Sequence, residues 1–257
     1  GARTPPSALL RLIQALPETS FIQVYAASET MRISMLSAAD HAAARDNPED
    51  EVAVARLRSA GKCSATIRIL TEDGRHAAVG EVGRIQKLFD PLYDFSTYYR
   101  NPEATAQKFT EDGWIDMGDL GSLDVDGYLY VEGRDAETIV LLSGDNVYPN
   151  DVENVLSELP GVAEVAVVKV VAGDSGGVEV GAFVRISPGS SLCEKDVRTH
   201  CDKRLGQAFT RPKHAFIREE KLPRNTNGKC LKSELTAEAS RLLRRGDVKT
   251  CATTGGA

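Results

Sequence analysis

Apolar and polar positions alternate along this chain in two rhythms, and the balance between them changes near residue 133. In "PPSALLRLIQAL" (5–16) apolar residues fall at 9, 10, 12, 13 and 16, a helical period opened by proline. "FIQVYA" (21–26) reads as a short strand, and the polar, alanine-rich stretch 37–60 around "RDNPEDE" as loop with some helix. Strands follow: "SATIRIL" and "EVGRIQKLF" flank "TEDGRHAAVG", whose Asp-Gly marks a turn. "NPEATAQKF" (101–109) has an asparagine cap ahead of Pro and Glu, which starts a helix. "DLGSLDVDGYLYVEG" (119–133) predicts a hairpin about Asp126-Gly127.

After Gly133 strands and helices alternate. "TIVLL" reads as a buried strand, and "YPNDVENVLSELPG" as a helix ending at Pro160-Gly161. "VAEVAVVKVV" and "VEVGAFVRI" are strands separated by "AGDSGG", and "SLCEKDVRTHCDKRLG" is an amphipathic helix with Gly206 as its stop. "KHAFIRE" is a further strand and "LKSELTAEASRLLRR" a last helix, followed by "GDVKTCATTGGA", which carries no apolar period and reads as a disordered tail.

The fold class expected is mixed α+β and α/β. Residues 137–238 supply one compact α+β domain, and 239–257 form the tail. Residues 1–133 look like the end of a larger domain, part of a sheet plus a small β-subdomain. A single helix cannot cover both faces of a parallel strand, so the strand at 21–26 is expected to belong to a larger sheet. That half should be the less stable one.

Composition narrows the chemistry. With 257 residues, 42% hydrophobic and 26% charged, the chain is long enough for one or two cored domains of ordinary globular character. Its net charge of −6 gives no basic surface for nucleic acid or anionic membrane. No apolar run approaches the roughly 18 residues of a transmembrane helix. The five cysteines are odd in number and form no C-x-x-C pair, which suggests reduced thiols in the cytoplasm or another reducing compartment. The four histidines lie at no metal-ligand spacing. "GARTPP" opens the chain with neither initiator methionine nor signal peptide, which suggests a piece of something longer.

Four segments carry the candidate chemistry, in this order: "VYAASET" (24–30), "GWIDMGDLG" (113–121), "GRDAETIVLLSGDNVYPNDVE" (133–153) and "LPRNTNGKCLK" (222–232). Together they resemble the adenylate-forming superfamily of acyl-CoA synthetases, luciferases and peptide-synthetase adenylation domains, with wording most similar to the fatty acyl-CoA synthetases. The likeness covers roughly residues 1–238. It implies that ATP activates a carboxylic acid to an acyl-AMP, which then passes its acyl group to the thiol of CoA. ATP, Mg²⁺ and CoA are the implied cofactors. Residues 1–133 become the end of the large AMP-binding domain and 134–136 the hinge about which the small domain rotates.

The resemblance also assigns roles. Ser28 would bond phosphate, Glu29 would hold Mg²⁺, and Tyr25 would line the nucleotide site. Asp119 would accept the two ribose hydroxyls, and Arg134 would contact ribose or phosphate. Gly144 would let a pantetheine arm approach closely, although a tight turn needs glycine for steric reasons alone. Lys229, preceded by Pro223, a polar turn and Gly228, would enter the site for adenylation and offset charge on carboxylate and α-phosphate. Without the family, Lys229 reads as a solvated lysine on a surface turn.

Departures from the pattern keep other readings open. Ala26, Met117 and Ala136 stand where the family has Gly, Thr, and Asp or Lys. No Ser/Thr/Gly-rich run ending in Pro-Lys-Gly occurs, so the phosphate loop that cradles the β- and γ-phosphates is missing and the chain is expected to be inactive alone. An acyl-AMP ligase loading a carrier protein is the second reading, and a non-catalytic adenylate-binding or interaction module the third.

Overall fold

Proline at the first turn starts helix α1, Pro6–Ala15, which buries Leu9 and Ile13. The computed structural model describes residues 4–172, 177–226 and 228–245, and the chain divides into two compact units at Ala136/Glu137. In the first unit, β1 (Gln23–Ala27) turns through residues 28–30 into β2 (Met31–Leu36). Helix α2 (Ala38–Asp46) follows, with Ser37 and Asp40 exchanging side-chain and backbone hydrogen bonds in a capping box. Helix α3 (Glu51–Arg56) starts on the Asp50 carboxylate, which accepts from Val52 and Ala53 N–H. Strand β3 (Lys62–Cys63) completes a three-stranded antiparallel sheet in the order β1-β2-β3.

The strand expected at 21–26 pairs antiparallel with a strand that sequence periodicity did not show. Its partner β2 buries Ile33, Ser34 and Leu36, and the buried Ser34 breaks the apolar rhythm. The Ser34 hydroxyl is satisfied by donating to the Ala60 carbonyl at 2.8 Å.

A second sheet follows from β4 (Ile67–Leu70) and β5 (Gly83–Leu88), then helix α4 (Pro102–Lys108), β6 (Trp114–Leu123) and β7 (Leu129–Arg134). The four strands form an antiparallel meander in chain order. Asn101 caps α4 by accepting from Ala104 N–H at 3.1 Å. Two hydrophobic clusters hold the unit. Ile33, Ile69, Ile85, Ile115, Met117 and Leu129 form one; Leu9, Ile13, Leu36, Ala44, Leu57 and Tyr128 belong to the other. Residues 4–136 therefore carry hydrophobic clusters of their own.

The second unit begins with a short hairpin, β8 (Ile139–Val140) and β9 (Asn146–Val147). "TIVLL" is thus not a buried strand: Ile139 is fully buried, but Val140 and Leu142 are 54% and 81% exposed. The chain turns at Leu141, whose N–H bonds the Asp145 carbonyl and whose carbonyl accepts from Gly144 N–H, both at 2.9 Å. Helix α5 (Pro149–Ser157), β10 (Val162–Ala172), β11 (Gly177–Ile186), α6 (Glu194–Arg204), β12 (His214–Arg218) and α7 (Lys232–Arg245) follow.

Strand β11 lies between β10, antiparallel to it, and β12, parallel to it. One face of this sheet packs Val167, Val180, Ala182 and Val184 with Val152 and Leu156 of α5 and Val197 of α6. The other face packs Ala166, Val168, Val170 and Phe183 with Leu235 and Ala239 of α7. Burial on both faces explains why β10 reads as nearly continuous valine.

Helix α6 ends at Arg204 with Leu205 as its cap, next to the expected stop at Gly206; the Leu205 N–H bonds the Cys201 carbonyl, and Gly206 takes no left-handed conformation. One further expectation is corrected here. Helix α7 buries Ala239 and runs to Arg245, past residue 238 where the domain was expected to end. The rest of the expected tail, 246–257, lies outside the described residues. Cys63, Cys201 and Cys230 are free thiols, whereas Cys193 is disulfide-bonded. That departs from the expected five reduced thiols, because sequence spacing does not show which thiols a fold brings together. No helix among the described residues is long and apolar enough to cross a membrane.

Candidate functional site

Asp119 of β6 faces Arg134 of β7, and its side chain is buried, 9% exposed. Arg134 Nε lies 3.1 Å from Oδ1, and the Tyr25 hydroxyl of β1 donates to Oδ2 at 2.5 Å. Arg134 Nη1 also donates to the Met117 carbonyl at 3.0 Å, so the guanidinium bridges strand backbone and carboxylate. Burial, then the Asp119 charge, pushes the Tyr25 hydroxyl well above its ordinary pKa, so it stays a donor. Met117, where the family has Thr, packs into the core at 2% exposure and gives the site only its carbonyl.

Gly118 adopts φ +68°, a left-handed conformation that side chains rarely take. A Cβ there would meet only Arg134 Nη1 at 3.6 Å and Lys108 Nζ at 4.0 Å. The glycine thus leaves a space rimmed by two cations.

Glu29 sits in the turn after β1. The Tyr98 hydroxyl donates to its Oε1 at 2.6 Å, and its backbone carbonyl accepts from Phe95 N–H at 2.8 Å. The Tyr98 bond is the main cause of a Glu29 carboxyl below the usual glutamate value, and the Lys108 and Arg134 charges add to it. Tyr98 itself is pushed up to about 12, first by burial and then by Glu29. Glu29 is therefore an ionised oxygen donor at neutral pH. Among the described residues no group of three or more His, Cys, Asp or Glu side chains could hold a metal. One carboxylate suits Mg²⁺, which keeps waters and takes its remaining oxygens from phosphate. Ser28, in the same turn, is exposed.

Of the residues expected in the first unit, Tyr25, Asp119 and Arg134 are brought into direct contact, and Glu29 lies within the field of Arg134. Tyr98 and Lys108 were missed. Tyr98 stands in the aromatic run "FSTYY", but no sequence spacing ties it to Glu29 across 69 positions.

Gly144 and Lys229 belong to the second unit. Gly144 has φ +87° with nothing within 4 Å of a would-be Cβ, so the hairpin's backbone conformation requires glycine while the space beside it is open. Lys229 lies on a turn closed by Gly228 N–H to the Asn225 carbonyl, Lys229 N–H to Asn225 Oδ1, and Asn225 N–H to the Lys229 carbonyl, each 2.9 Å. Its ammonium lies 3.3 Å from Glu137 Oε1 and its side chain is 61% exposed.

Lys232, three residues on, lies 3.3 Å from Glu137 Oε2 and 2.8 Å from Glu153 Oε1, which also accepts from Val167 N–H. Burial alone would lower the Lys232 ammonium, but its two carboxylate partners outweigh it and hold the pKa raised. Burial lifts Glu153 and opposes its ionisation. Held between the Glu137 and Glu153 carboxylates, Lys232 makes a charged pair with Glu153.

Residues 151–229 match the AMP-binding enzyme C-terminal domain. The chain is 36% identical over 185 residues to a sulfoacetate–CoA ligase of Cupriavidus necator, covering 72% of this chain and 35% of that protein. It is 33% identical over 238 residues to the fatty acid–[acyl-carrier-protein] ligase ScoC of Streptomyces coeruleorubidus, covering 91% of this chain and 43% of ScoC. In three dimensions it is similar to the amide bond synthetase McbA of Marinactinospora thermotolerans, with TM-score 0.78 and 27% identity over 93% of this chain and 45% of McbA. The chain thus spans 35–43% of the length of these two curated ligases. It belongs to the adenylate-forming superfamily of AMP-binding enzymes and corresponds to the C-terminal part of its members.

Proposed function

We propose that this chain is the C-terminal part of an acid–thiol ligase that activates a carboxylic acid, specifically a fatty acid, with ATP and passes the acyl group to CoA. The observation that carries this reading is the buried Asp119 carboxylate, fixed by Tyr25 and Arg134 beside an ionised Glu29. A carboxylate so held is suited to accept both hydroxyls of a ribose, and Arg134 can donate to the same sugar or its phosphate.

In the first half-reaction the acid's carboxylate oxygen bonds the α-phosphorus as the bond to pyrophosphate breaks. The acid is already ionised at neutral pH, so the task is positioning and charge neutralisation rather than proton removal. Lys229 supplies a mobile positive charge for that step, and Ser28 a hydroxyl for phosphate. Glu29 would hold Mg²⁺, whose chemistry is to neutralise phosphate charge. In the second half-reaction the thiol sulfur bonds the acyl carbon and AMP leaves, with Gly144 giving a pantetheine arm room to approach. The change of compact unit at Ala136/Glu137 supports a hinge at 134–136 between these two states.

The similarity to ScoC over 91% of the chain favours, as a second reading, an acceptor thiol carried by an acyl carrier protein. CoA and carrier protein present the same pantetheine thiol. The test is acid-dependent ATP–pyrophosphate exchange by the longer protein that contains this chain, followed by product analysis with each acceptor. Exchange with fatty acids and a CoA thioester product are expected. Exchange with no carboxylic acid overturns the activity, and a product only on carrier protein selects the second reading. The 257-residue chain alone, lacking the phosphate loop, should release no pyrophosphate.

A further inference from the structure

Inward-facing cations of the first unit are matched by carboxylates. Lys87 lies 2.5 Å from Asp94, and Arg68 lies 2.6 Å from Asp112. Lys108, the last residue of α4, is the exception. It is half-buried, its Nζ donates to the Asp116 carbonyl at 2.6 Å, and no carboxylate lies within ion-pair distance of it among the described residues. A partly desolvated ammonium bonded to a carbonyl, with no carboxylate at ion-pair distance, keeps much of its charge unneutralised.

That charge is aimed at the nucleotide end of the site. Lys108 Nζ and Arg134 Nη1 converge over Gly118, where the missing side chain leaves the space between them open. Asp119 is the next residue, and both cations act on Glu29. Arg134 is shared with Asp119 and the Met117 carbonyl, so its charge is partly spent. Lys108 has two ammonium protons left to donate.

We propose that Lys108 is a substrate-contacting residue: with Arg134 it seats the phosphate of the adenylate over Gly118. This rests on the reading of Asp119 as the ribose acceptor. A 5′-phosphate on that ribose brings an anion next to the one cation of the cluster with no carboxylate at ion-pair distance among the described residues. On sequence alone Lys108 reads as a basic residue in the last turn of a helix, where it complements the helix dipole.

The test is calorimetric titration of the 257-residue chain with AMP and with adenosine, which lacks the phosphate. Lys108→Gln should weaken AMP about tenfold, the scale of one partly exposed charge-assisted hydrogen bond, and leave adenosine unchanged. Lys108→Arg should restore AMP binding. Equal loss for both ligands would mark a merely structural lysine and overturn the proposal. Asp119→Asn separates the two readings, since it should weaken AMP and adenosine alike. AMP binding that responds to Asp119→Asn but not to Lys108→Gln overturns the Lys108 assignment alone. AMP binding that responds to neither, or no AMP binding by the wild type, overturns both.

Discussion

Glu137, the first residue of the C-terminal unit, is shared by two lysines: Lys229 reaches one carboxylate oxygen and Lys232 the other, each at 3.3 Å. With Glu153 behind Lys232, the charges alternate from an exposed turn into the sheet. The ends of this chain differ in strength. The pair of Lys229, 61% exposed, is of the kind worth about 0–1 kcal/mol, so Lys229 leaves Glu137 at little cost. Lys232 and Glu153, each 19% exposed, form an anchor.

The anchor is tested by Lys232→Met, which leaves Glu153 buried beside the sheet with only the Val167 N–H. Breaking one side of a buried pair costs about 3–5 kcal/mol. Hydrogen exchange at the β10 amides should speed up accordingly. Unchanged protection would mean that this ion pair contributes little.

A pH dependence follows from Glu137. Burial raises its pKa, but the charges of Lys232 and Lys229 outweigh burial and leave it below the ordinary 4.5. A depressed folded-state pKa stabilises above the unfolded value, and that stability is lost as pH falls through the folded value. The C-terminal unit should therefore lose stability below pH 4.5, and Glu137→Gln should flatten that part of the curve. Identical acid profiles for the two proteins would exclude this contribution.

Much of the fold was legible in local signals. Asp126-Gly127 marked the β6–β7 hairpin, Asn101-Pro102 the start of α4, and the valine run β10. Strand β2 was not, because buried Ser34 is polar, and "TIVLL" misled because its last residues form a turn rather than a strand. The motifs named Asp119 and Arg134 separately, but their pairing depends on a bulge. From Leu123↔Leu129 to Gly121↔Val131 the hairpin keeps one register, and it shifts by one residue between Leu120 and Gly121. Without that shift Asp119 would face Gly133 and Arg134 would face Gly118. A bulge that re-aims a side chain has no composition of its own, so the contact was not readable from the sequence. Tyr98 and Lys108 reach the site through tertiary packing alone.

Asp119 gives a ligand-based prediction. If it accepts both ribose hydroxyls, AMP should bind the chain more tightly than 2′-deoxy-AMP, by about 1–3 kcal/mol for the partner left unpaired. Asp119→Ala should abolish the difference between the two nucleotides. Equal affinity of the wild type for both would remove Asp119 from the ribose.

Lys229 carries the central claim, that its turn serves one half-reaction and not the other. In the longer enzyme that we propose contains this chain, Lys229→Ala should slow acyl-AMP formation about 10²–10³-fold, the scale of one electrostatic contact in a transition state. Thioester formation from supplied acyl-AMP should stay close to wild type. The decisive measurement is therefore the pair of half-reaction rates for this single variant. Loss confined to adenylation is the predicted result, and equal loss in both half-reactions would contradict the account.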